Sequence, residues 1–297
     1  MSGPAAVAEE RGRTMRSEAS AVRRRRLGTT VTYSVLGALA VVYIFPFLIS
    51  IATSFKTEPN ATANPLSLVP SPVTSTAFHQ LYTGNDFLTW VKNSAIVTLC
   101  VTFLRVFLDS LAGYALARLR FRGRGAAFAT VVAVMAVPGV VLLIPKFLII
   151  RQFGMYDTYY GMIIPLLVDA AGVFIMKNFF ESIPASVEES ARIDGASLFR
   201  LYWSIVLPMA RPALVTLFIL SFQGSWNELP HFIISAQSTS LFTLTRGVAS
   251  LASGQLGSGN RYPLKLAASV LMTIPVAVIF FIFQRRIMNA SAGAVKE

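Results

Sequence analysis

Charged residues are scarce in this chain, at 13% of its 297 residues, whereas they make up about a quarter of a typical soluble domain. One cysteine and two histidines exclude a disulfide framework and leave no His/Cys spacing typical of a metal site. The sequence also lacks a Walker A motif, a Gly-x-Gly-x-x-Gly motif and an evident nucleophile–base or acid pair. We therefore expect neither catalysis nor a metal nor a cofactor in this chain.

Hydrophobic residues are abundant instead, at 54% of the chain, and the mean hydropathy is +0.61. Six apolar segments each contain 20 or more residues. At about 1.5 Å per residue, that is enough to cross a hydrocarbon core of about 30 Å. All six must be helices, because lipid offers backbone N–H and C=O groups no other partner. The predicted spans are 29–54, 90–117, 126–150, 161–180, 211–235 and 263–283.

The formal net charge of +12 suggests a nucleic-acid partner at first sight, but the distribution of the basic residues argues against one. Of 26 Lys and Arg residues, 18 lie in the segments that we place inside the cell and four in the loops that we place outside. Since cytoplasmic loops of membrane proteins carry the excess of Lys and Arg, this asymmetry predicts that both termini are cytoplasmic. The basic end of the N-terminal tail is expected to contact anionic membrane lipid.

These spans divide the chain into five regions. The predicted regions are 1–27, a basic disordered cytoplasmic tail; 28–54, the first transmembrane helix; 55–89, an extracytoplasmic loop; 90–284, a core of five helices; and 285–297, a cytoplasmic tail. The predicted fold class is an all-α membrane protein with six transmembrane helices.

A polar stretch at 183–208 separates two of the apolar segments and predicts two short helices. Ser186 and Glu189 fit the Ser-x-x-Glu capping box, which predicts that the first helix begins there. Glu188 and Arg192 are four residues apart with the acidic residue first, which is the better order for an ion pair on a helix.

The bend between these two helices is marked by small residues. Gly195 is placed to end the first helix in a left-handed turn, and Ser197 can cap the second helix, which must end before Pro208. Small side chains at Ala191 and Ala196 would let the surface of another protein come close. The sequence thus predicts a cytoplasmic helix–elbow–helix.

This stretch resembles the EAA signature of binding-protein-dependent ABC importer permeases, which reads Glu-Ala-Ala, three residues, Gly, nine residues, Ile, one residue and Leu-Pro. The matching positions are Glu189, Ser190, Ala191, Gly195, Ile205, Leu207 and Pro208, of which only Ser190 departs from the signature. Residues 191–197, 207–214 and 226–228 are similar to the carbohydrate-uptake, maltose-type branch of that family. The resemblance implies the type I ABC importer permease fold, a five-helix core to which the first span is an addition.

In that family the EAA loop is the coupling helix that docks into a cytoplasmic ATPase dimer, which binds the ATP and Mg²⁺. The resemblance assigns this role to Glu188, Glu189, Ser190, Ala191, Arg192, Asp194, Gly195, Ala196 and Ser197. The ending AGAVKE resembles the AGxVKG tail of the smaller permease subunit, which implies an ATPase contact at Gly293, Val295 and Lys296. Glu297 departs from that pattern.

The other implied partners are a second, homologous permease subunit and an extracytoplasmic solute-binding protein. Loops 55–89 and 236–262 are the candidate contacts of the solute-binding protein.

Five residues in the predicted spans are candidates for the substrate path: Asp169, Gln223, Trp226, Asn227 and Glu228. Asp169 is expected near the middle of the fourth span. An unpaired ionised carboxylate there raises the free energy of membrane insertion by about 2.5–3.5 kcal/mol. Asp169 is therefore expected either to face the substrate path or to be paired. The other four offer an aromatic face, amides and a carboxylate, which suit a sugar; interhelical hydrogen bonding is the alternative. Arg105 and Asp109, four residues apart, are expected to form a structural pair.

The resulting hypothesis is a permease subunit of an ATP-driven importer in the inner (cytoplasmic) membrane of a bacterium, which translocates a sugar or oligosaccharide. Glycerol-3-phosphate or another polar solute is the alternative. Lys or Arg along the path would favour a phosphate, and only Lys146 in the third span is available. A membrane enzyme or sensor would need clustered His, Asp or Glu at one depth, or an appended soluble domain, and we find neither pattern.

Overall fold

The computed structural model describes residues 4–254 and 261–293, with side chains described at 29–254 and 261–284. Within these ranges the regular secondary structure is entirely helical, as predicted. The α-helices are α1 (Pro4–Ser54), α2 (Glu58–Ala63), α3 (Thr76–Gly84), α4 (Phe87–Arg118), α5 (Arg124–Met135), α6 (Leu143–Gln152), α7 (Tyr159–Ile163), α8 (Ala170–Ser182), α9 (Ala185–Ile193), α10 (Leu198–Arg200), α11 (Leu207–Met209), α12 (Arg211–Trp226), α13 (Pro230–Ser235), α14 (Leu244–Ala252) and α15 (Tyr262–Gly293). Tighter 3-10 turns occupy Gly139–Leu142, Ile164–Leu166 and Thr239–Leu241, and Leu201–Val206 is π-helical.

Four helical stretches are long and apolar enough to cross a membrane: Thr29–Ser54, Phe87–Arg118, Tyr159–Ser182 and Tyr262–Gln284. Two further candidates are pairs of helices joined by a sharp bend. These are Arg124–Met135 with Gly139–Gln152, bent by 103°, and Leu198–Met209 with Arg211–Trp226, bent by 78°. The described part of the chain therefore has four candidate spans, or up to six if each bent pair is one span.

Proline explains the first of these bends, within the predicted span 126–150. Helix α5 ends at Met135, and Pro138 follows with φ −58° and ψ 128°. A proline lacks the N–H that a helix needs and disfavours the helical conformation at the residue before it. The chain therefore turns by 103° and resumes as a 3-10 turn and α6, so the third predicted span is not one continuous helix.

The predicted span 211–235 also differs from the structure. Helix α12 ends at Trp226 after 16 residues, and a separate helix, α13, begins at Pro230. At 1.5 Å per residue, α12 is about 24 Å long, which is less than the hydrocarbon core of about 30 Å. The helix is interrupted between Trp226 and Pro230, and Pro230 has no N–H to continue the helical hydrogen-bond pattern across this gap.

The N-terminal segment is the other difference. We predict a disordered tail at 1–27, whereas α1 begins at Pro4 and continues without a break into the first candidate span. The segment is rich in Ala, Glu, Arg and Met, which are strong helix formers. Because it is continuous with the helix of the apolar span, it can extend that helix without a separate nucleation step.

Helix α4 lies at the centre of the bundle, packed between α8 and α12. Two glycines let α4 and α8 approach closely. A Cβ atom at Gly113 would lie 2.7 Å from Met176 Cβ, and one at Gly172 would overlap the carboxylate of Asp109. Small residues at helix contacts are the usual way in which transmembrane helices pack. Helix α15 packs in turn against α1 and α12, and so closes the bundle on the other side.

The candidate functional site: the elbow between α8 and α12

The first arm of the elbow is α9, which begins at Ala185. Pro184 occupies the N-cap position, and Ser186 lies inside the first turn, where its carbonyl oxygen accepts a hydrogen bond from Ser190 Oγ at 2.8 Å. The predicted capping box of Ser186 and Glu189 is therefore wrong. A proline disfavours helix at the residue before it and has no N–H to satisfy, so the new helix starts directly after Pro184.

The end of α9 follows the prediction. Gly195 has φ +81°, the left-handed conformation that glycine adopts at little cost. The backbone N–H of Ala196 donates to Ala191 O at 2.9 Å, and that of Gly195 donates to Arg192 O at 3.0 Å. These two bonds form a Schellman motif, which satisfies the last carbonyl groups of the helix. The small residues thus define the bend itself.

The second arm begins as predicted at Ser197, whose Oγ accepts a hydrogen bond from the backbone N–H of Arg200 at 3.3 Å. The arm then continues through the π-helical turn Leu201–Val206 to Met209, past the predicted end before Pro208. The wider π-helical turn ends shortly before Pro208. Pro208 has no N–H to donate to the preceding helical turn, so the regular α-helical hydrogen bonds are interrupted there. A bend of 78° then leads into α12.

One face of the elbow is buried in the bundle and the other carries exposed apolar side chains. Leu201 and Val206 are fully buried, with 0% of their surface exposed. At the bend, by contrast, Ile193 is 87% exposed and Phe199 is 73% exposed, and Leu198 is exposed beside them. Ile193, Leu198 and Phe199 therefore form an exposed apolar group at the bend.

The predicted coupling residues divide between these two faces. Glu188 and Ala191 are buried, so they contact their own chain. Ala196 is half-buried. The exposed members are Glu189, Ser190, Arg192, Asp194, Gly195 and Ser197. The predicted Glu188–Arg192 pair is present, with Nη2 and Oε2 3.8 Å apart.

A second arginine, which the sequence did not indicate, contacts the same carboxylate more closely. Arg118, the last residue of α4, places Nε 3.1 Å from Glu188 Oε1, and its side chain is only 13% exposed. Its Nη2 atom donates to the backbone carbonyls of Phe180 and Ile183. The elbow is therefore attached to the C-terminal end of α4 through a buried ion pair. A cleft of about 730 Å³ lies beside this contact and is lined by charged residues of both segments.

The structure places Asp169 at a helix start rather than in mid-helix. It is the N-cap of α8, and its Oδ2 accepts a hydrogen bond from the backbone N–H of Gly172 at 3.0 Å. Its own backbone N–H donates to Asp109 Oδ1 at 3.1 Å. Pro165 lies in the 3-10 turn Ile164–Leu166, and the break in this span follows at residues 167–169. Asp169 thus has a local structural role in this structure.

The four candidates on the fifth span do not form one surface. Trp226 is 4% exposed, stacks on Phe222 with ring centroids 5.7 Å apart and donates to the carbonyl of Met272 at 3.1 Å. Glu228 Oε1 accepts a hydrogen bond from the backbone N–H of His231 at 2.8 Å, near the start of α13. Only Gln223 and Asn227 are exposed, and Gln223 lines a largely apolar cavity of about 560 Å³ between α12 and α15. The interhelical alternative therefore describes Trp226 better than the sugar-surface interpretation does.

Arg105 and Asp109 are not paired directly, contrary to the prediction. Arg105 Nε donates to Leu166 O at 2.7 Å, while Asp109 accepts from the backbone of Asp169. Both side chains thus satisfy backbone groups at the break between α7 and α8, which sequence spacing does not reveal. Their predicted structural role holds, but through different partners.

The remaining predicted contacts lie at the C-terminus. Gly293 is the last residue of α15, and its surroundings are not described; Val295 and Lys296 lie outside the described residues. Across the side chains that the structure does describe, no group of three or more His, Cys, Asp or Glu residues could hold a metal ion.

The helical bundle, the candidate membrane spans and the protruding elbow together define a membrane transport subunit. The chain belongs to the family described as "Binding-protein-dependent transport system inner membrane component", whose family model matches residues 109–290, more than half of the chain. The predicted family and the inner-membrane location are thereby confirmed. Members of this family are transport components of ABC importers and are not themselves enzymes.

Comparison with individual proteins agrees with this assignment. The chain is 30% identical over 262 residues to an arabinooligosaccharides transport system permease protein, AraQ, of Halalkalibacterium halodurans, covering 87% of this chain and 93% of that one. It is 31% identical over 281 residues to the inner membrane ABC transporter permease protein YcjP of Escherichia coli, covering 93% and 99%. The fold is similar, with a TM-score of 0.76, to a chain in the crystal structure of a bacterial ABC transporter involved in the import of the acidic polysaccharide alginate. That pair is 26% identical over 88% of this chain and 96% of the other.

Proposed function

We propose that this chain is one of two non-identical permease subunits of an ATP-driven importer, and that its elbow at 183–208 docks into a separate cytoplasmic ATPase dimer. The observation that carries the proposal is the exposure of Ile193 and Phe199 at the bend, in a chain of this family. Apolar side chains that are exposed in the single chain are suited to a cleft of a partner. ATP and Mg²⁺ belong to that partner, and this chain supplies the path through the membrane.

The proposed arrangement in the membrane has six spans with both termini in the cytoplasm. The bent pair Arg124–Met135 with Gly139–Gln152 then counts as one span, and α12 with α13 counts as another, while Leu198–Met209 belongs to the cytoplasmic elbow. The core of five spans is the proposed region 90–284. The support is the excess of Lys and Arg in the segments assigned to the inside, 18 against four. In this arrangement the elbow and the basic residues around 118–124 lie on the cytoplasmic side, where an ATPase can reach them.

The mechanism that we infer is a two-state one. Closure of the ATPase dimer on ATP moves the docked elbow, and the elbow shifts the bundle between inward-facing and outward-facing arrangements. A partner shifts such an equilibrium only by binding one arrangement more tightly than the other. The elbow suits this role because its buried face, which includes Leu201 and Val206, is packed into the bundle while its exposed face is free for the partner.

The proposed cargo is a sugar or oligosaccharide that an extracytoplasmic solute-binding protein delivers. The support comes from the relatives: one is a permease for arabinooligosaccharides, and another belongs to an importer of alginate. Gln223 and Asn227, the exposed polar candidates on the fifth span, are the residues that we propose to contact the sugar. Asp169 and Trp226 each already have a hydrogen-bond partner within the chain, so we do not assign a sugar contact to them.

The test is reconstitution of the chain with its second permease and its ATPase in lipid nanodiscs, followed by measurement of ATP hydrolysis with the solute-binding protein. We expect sugar-loaded binding protein to stimulate hydrolysis, and Ile193→Asp to reduce the stimulation about tenfold or more, because it places a charge in the docking cleft. Ile193→Leu is the matched control, since it keeps the apolar contact, and should behave as the unmodified chain does. Equal stimulation in the Asp variant would exclude the elbow as the docking element, and stimulation by a phosphorylated solute alone would exclude a sugar.

A further inference from the structure

The guanidinium of Arg118 is the point at which three helices of the cytoplasmic side meet. Arg118 ends α4, its Nη2 donates to the carbonyls of Phe180 and Ile183 at the end of α8, and its Nε lies 3.1 Å from Glu188 Oε1 on α9. A planar guanidinium has five N–H donors in a fixed arrangement and can therefore serve several acceptors at once. One side chain therefore connects α4, α8 and the first arm of the elbow.

This contact is more deeply buried than the neighbouring ion pair of the cytoplasmic side. The side chains of Arg118 and Glu188 are 13% and 7% exposed, whereas those of Arg124 and Glu181 are 37% and 40% exposed. Solvent and salt screen an exposed pair, and such a pair contributes little to the position of a helix. A buried pair that also satisfies helix-end carbonyls fixes the relative position of its elements more firmly.

The second arm of the elbow is attached to the same helix. Tyr202 is 4% exposed, and its Oη lies within hydrogen-bond distance of Ser110 Oγ, at 2.7 Å. Ser110 lies two turns before Arg118 on α4. Helix α4 is therefore bonded to both arms of the elbow, whereas the elbow reaches α12 through a bend of 78° after Met209. A bend between helices is a typical place for a hinge.

We propose that Arg118 is a positioning residue that makes the elbow, α4 and α8 move as one unit when the ATPase moves the elbow. This inference rests on the proposed function and deepens it by naming the route by which motion enters the bundle. Arg118 acts through Glu188, which lies on α9. Without this contact the elbow can still dock, because its exposed face is unchanged, but among the described polar contacts only the Tyr202–Ser110 bond then joins it to α4, so less of its motion reaches α4 and α8.

The experiment measures sugar uptake and ATP hydrolysis in the same proteoliposomes, which contain the full complex and sugar-loaded binding protein. Arg118→Gln is expected to reduce the sugar transported per ATP by about tenfold, a factor within the usual range of coupling between sites. Arg120→Gln is the matched control, because Arg120 lines the same cleft but is exposed and has no ion pair in the described structure. It should transport as much sugar per ATP as the unmodified chain.

Two further variants separate coupling from folding. Glu188→Gln removes the charge but leaves the Arg118 bonds to the carbonyls, and we expect it to reduce transport per ATP by about threefold or more. If Arg118 and Glu188 act as a pair, the double variant is no worse than Arg118→Gln alone. Unchanged transport per ATP in Arg118→Gln would overturn the inference. If Arg118→Gln does not assemble, unchanged transport per ATP in Glu188→Gln would overturn it equally, since the role would then be structural only.

The outcomes also separate this inference from the proposed function. If the unmodified complex shows no stimulation by any sugar-loaded binding protein, the proposed function fails. If it is stimulated and transports sugar, but the Arg118 and Glu188 variants match it, only the role of Arg118 fails.

Discussion

Gly172 is the position at which the packing of the bundle can be tested most sharply. A Cβ atom there would overlap Asp109 Oδ2 and would lie 2.9 Å from both Asp109 Cγ and Leu217 Cδ1. Asp109 is 0% exposed, so its side chain has no free space to move into, and α4 and α8 must separate instead. Overpacking of this kind lowers the free energy of unfolding by about 1–3 kcal/mol. Since about 1.4 kcal/mol is a factor of ten, most of that range changes the unfolding equilibrium constant about tenfold or more.

The assay for Gly172→Ala is equilibrium unfolding in mixed micelles, followed by circular dichroism as the denaturing detergent increases. Gly125→Ala is the matched control, because Gly125 is also helical and a methyl group added there would meet no atom within 4 Å. Alanine is the better helix former by about 1 kcal/mol, so the control should be unchanged or slightly more stable. A Gly172→Ala chain as stable as its Gly125→Ala counterpart would refute the close approach of α4 and α8.

Three further predictions concern single polar side chains. Ser197→Ala removes the cap of the second elbow arm and should destabilise it by about 0.5–2 kcal/mol, seen as faster proteolysis of the elbow, whereas Ser197→Asp should restore protection. Asp169→Asn keeps an oxygen that can cap α8, so transport and substrate range should be unchanged; a changed substrate range would show that Asp169 contacts the cargo. Hydrogen bonds from the side chain and backbone of Ser238 hold the pKa of Asp157 below its usual 3.8. Because the folded-state pKa is lowered, this contribution to loop order is present above pH 3.8 and is lost as the pH falls further. A spin label at Gln237 should therefore become more mobile on acidification, and Asp157→Asn should abolish that pH dependence; a label whose mobility does not change with pH would count against the link.

The sequence was informative wherever the determining interactions are local. Ser197 caps its helix and Gly195 adopts the left-handed turn because each depends on atoms within five residues. Hydrophobic length likewise indicated the candidate spans, since a membrane crossing needs about 20 apolar residues in succession. The bend of the elbow was therefore predictable from its spacing, whereas the start of α9 and the end of the second arm were not.

Contacts between distant segments were not predictable in this way. The partner of Glu188, Arg118, lies 70 residues earlier, and spacing on one helix indicated only the weaker pair with Arg192. The burial of Trp226 was not predictable for the same reason. It packs against Phe222 and Met272, and this contact depends on which face of α12 packs against α15. Single-sequence reasoning gives the residue types on a helix, but the packing of several helices decides which of them are available to a ligand.

The central claim is that the elbow lies on the cytoplasmic side of the membrane and binds a separate ATPase there. The most direct measurement places a single cysteine at Ile193, which is 87% exposed, after Cys100, the only native cysteine, is changed to serine. The account predicts that a membrane-impermeant maleimide labels this cysteine in inside-out vesicles but not in intact spheroplasts, and that bound ATPase protects it. Labelling from the outside of spheroplasts, or labelling that the ATPase does not reduce, would contradict the account.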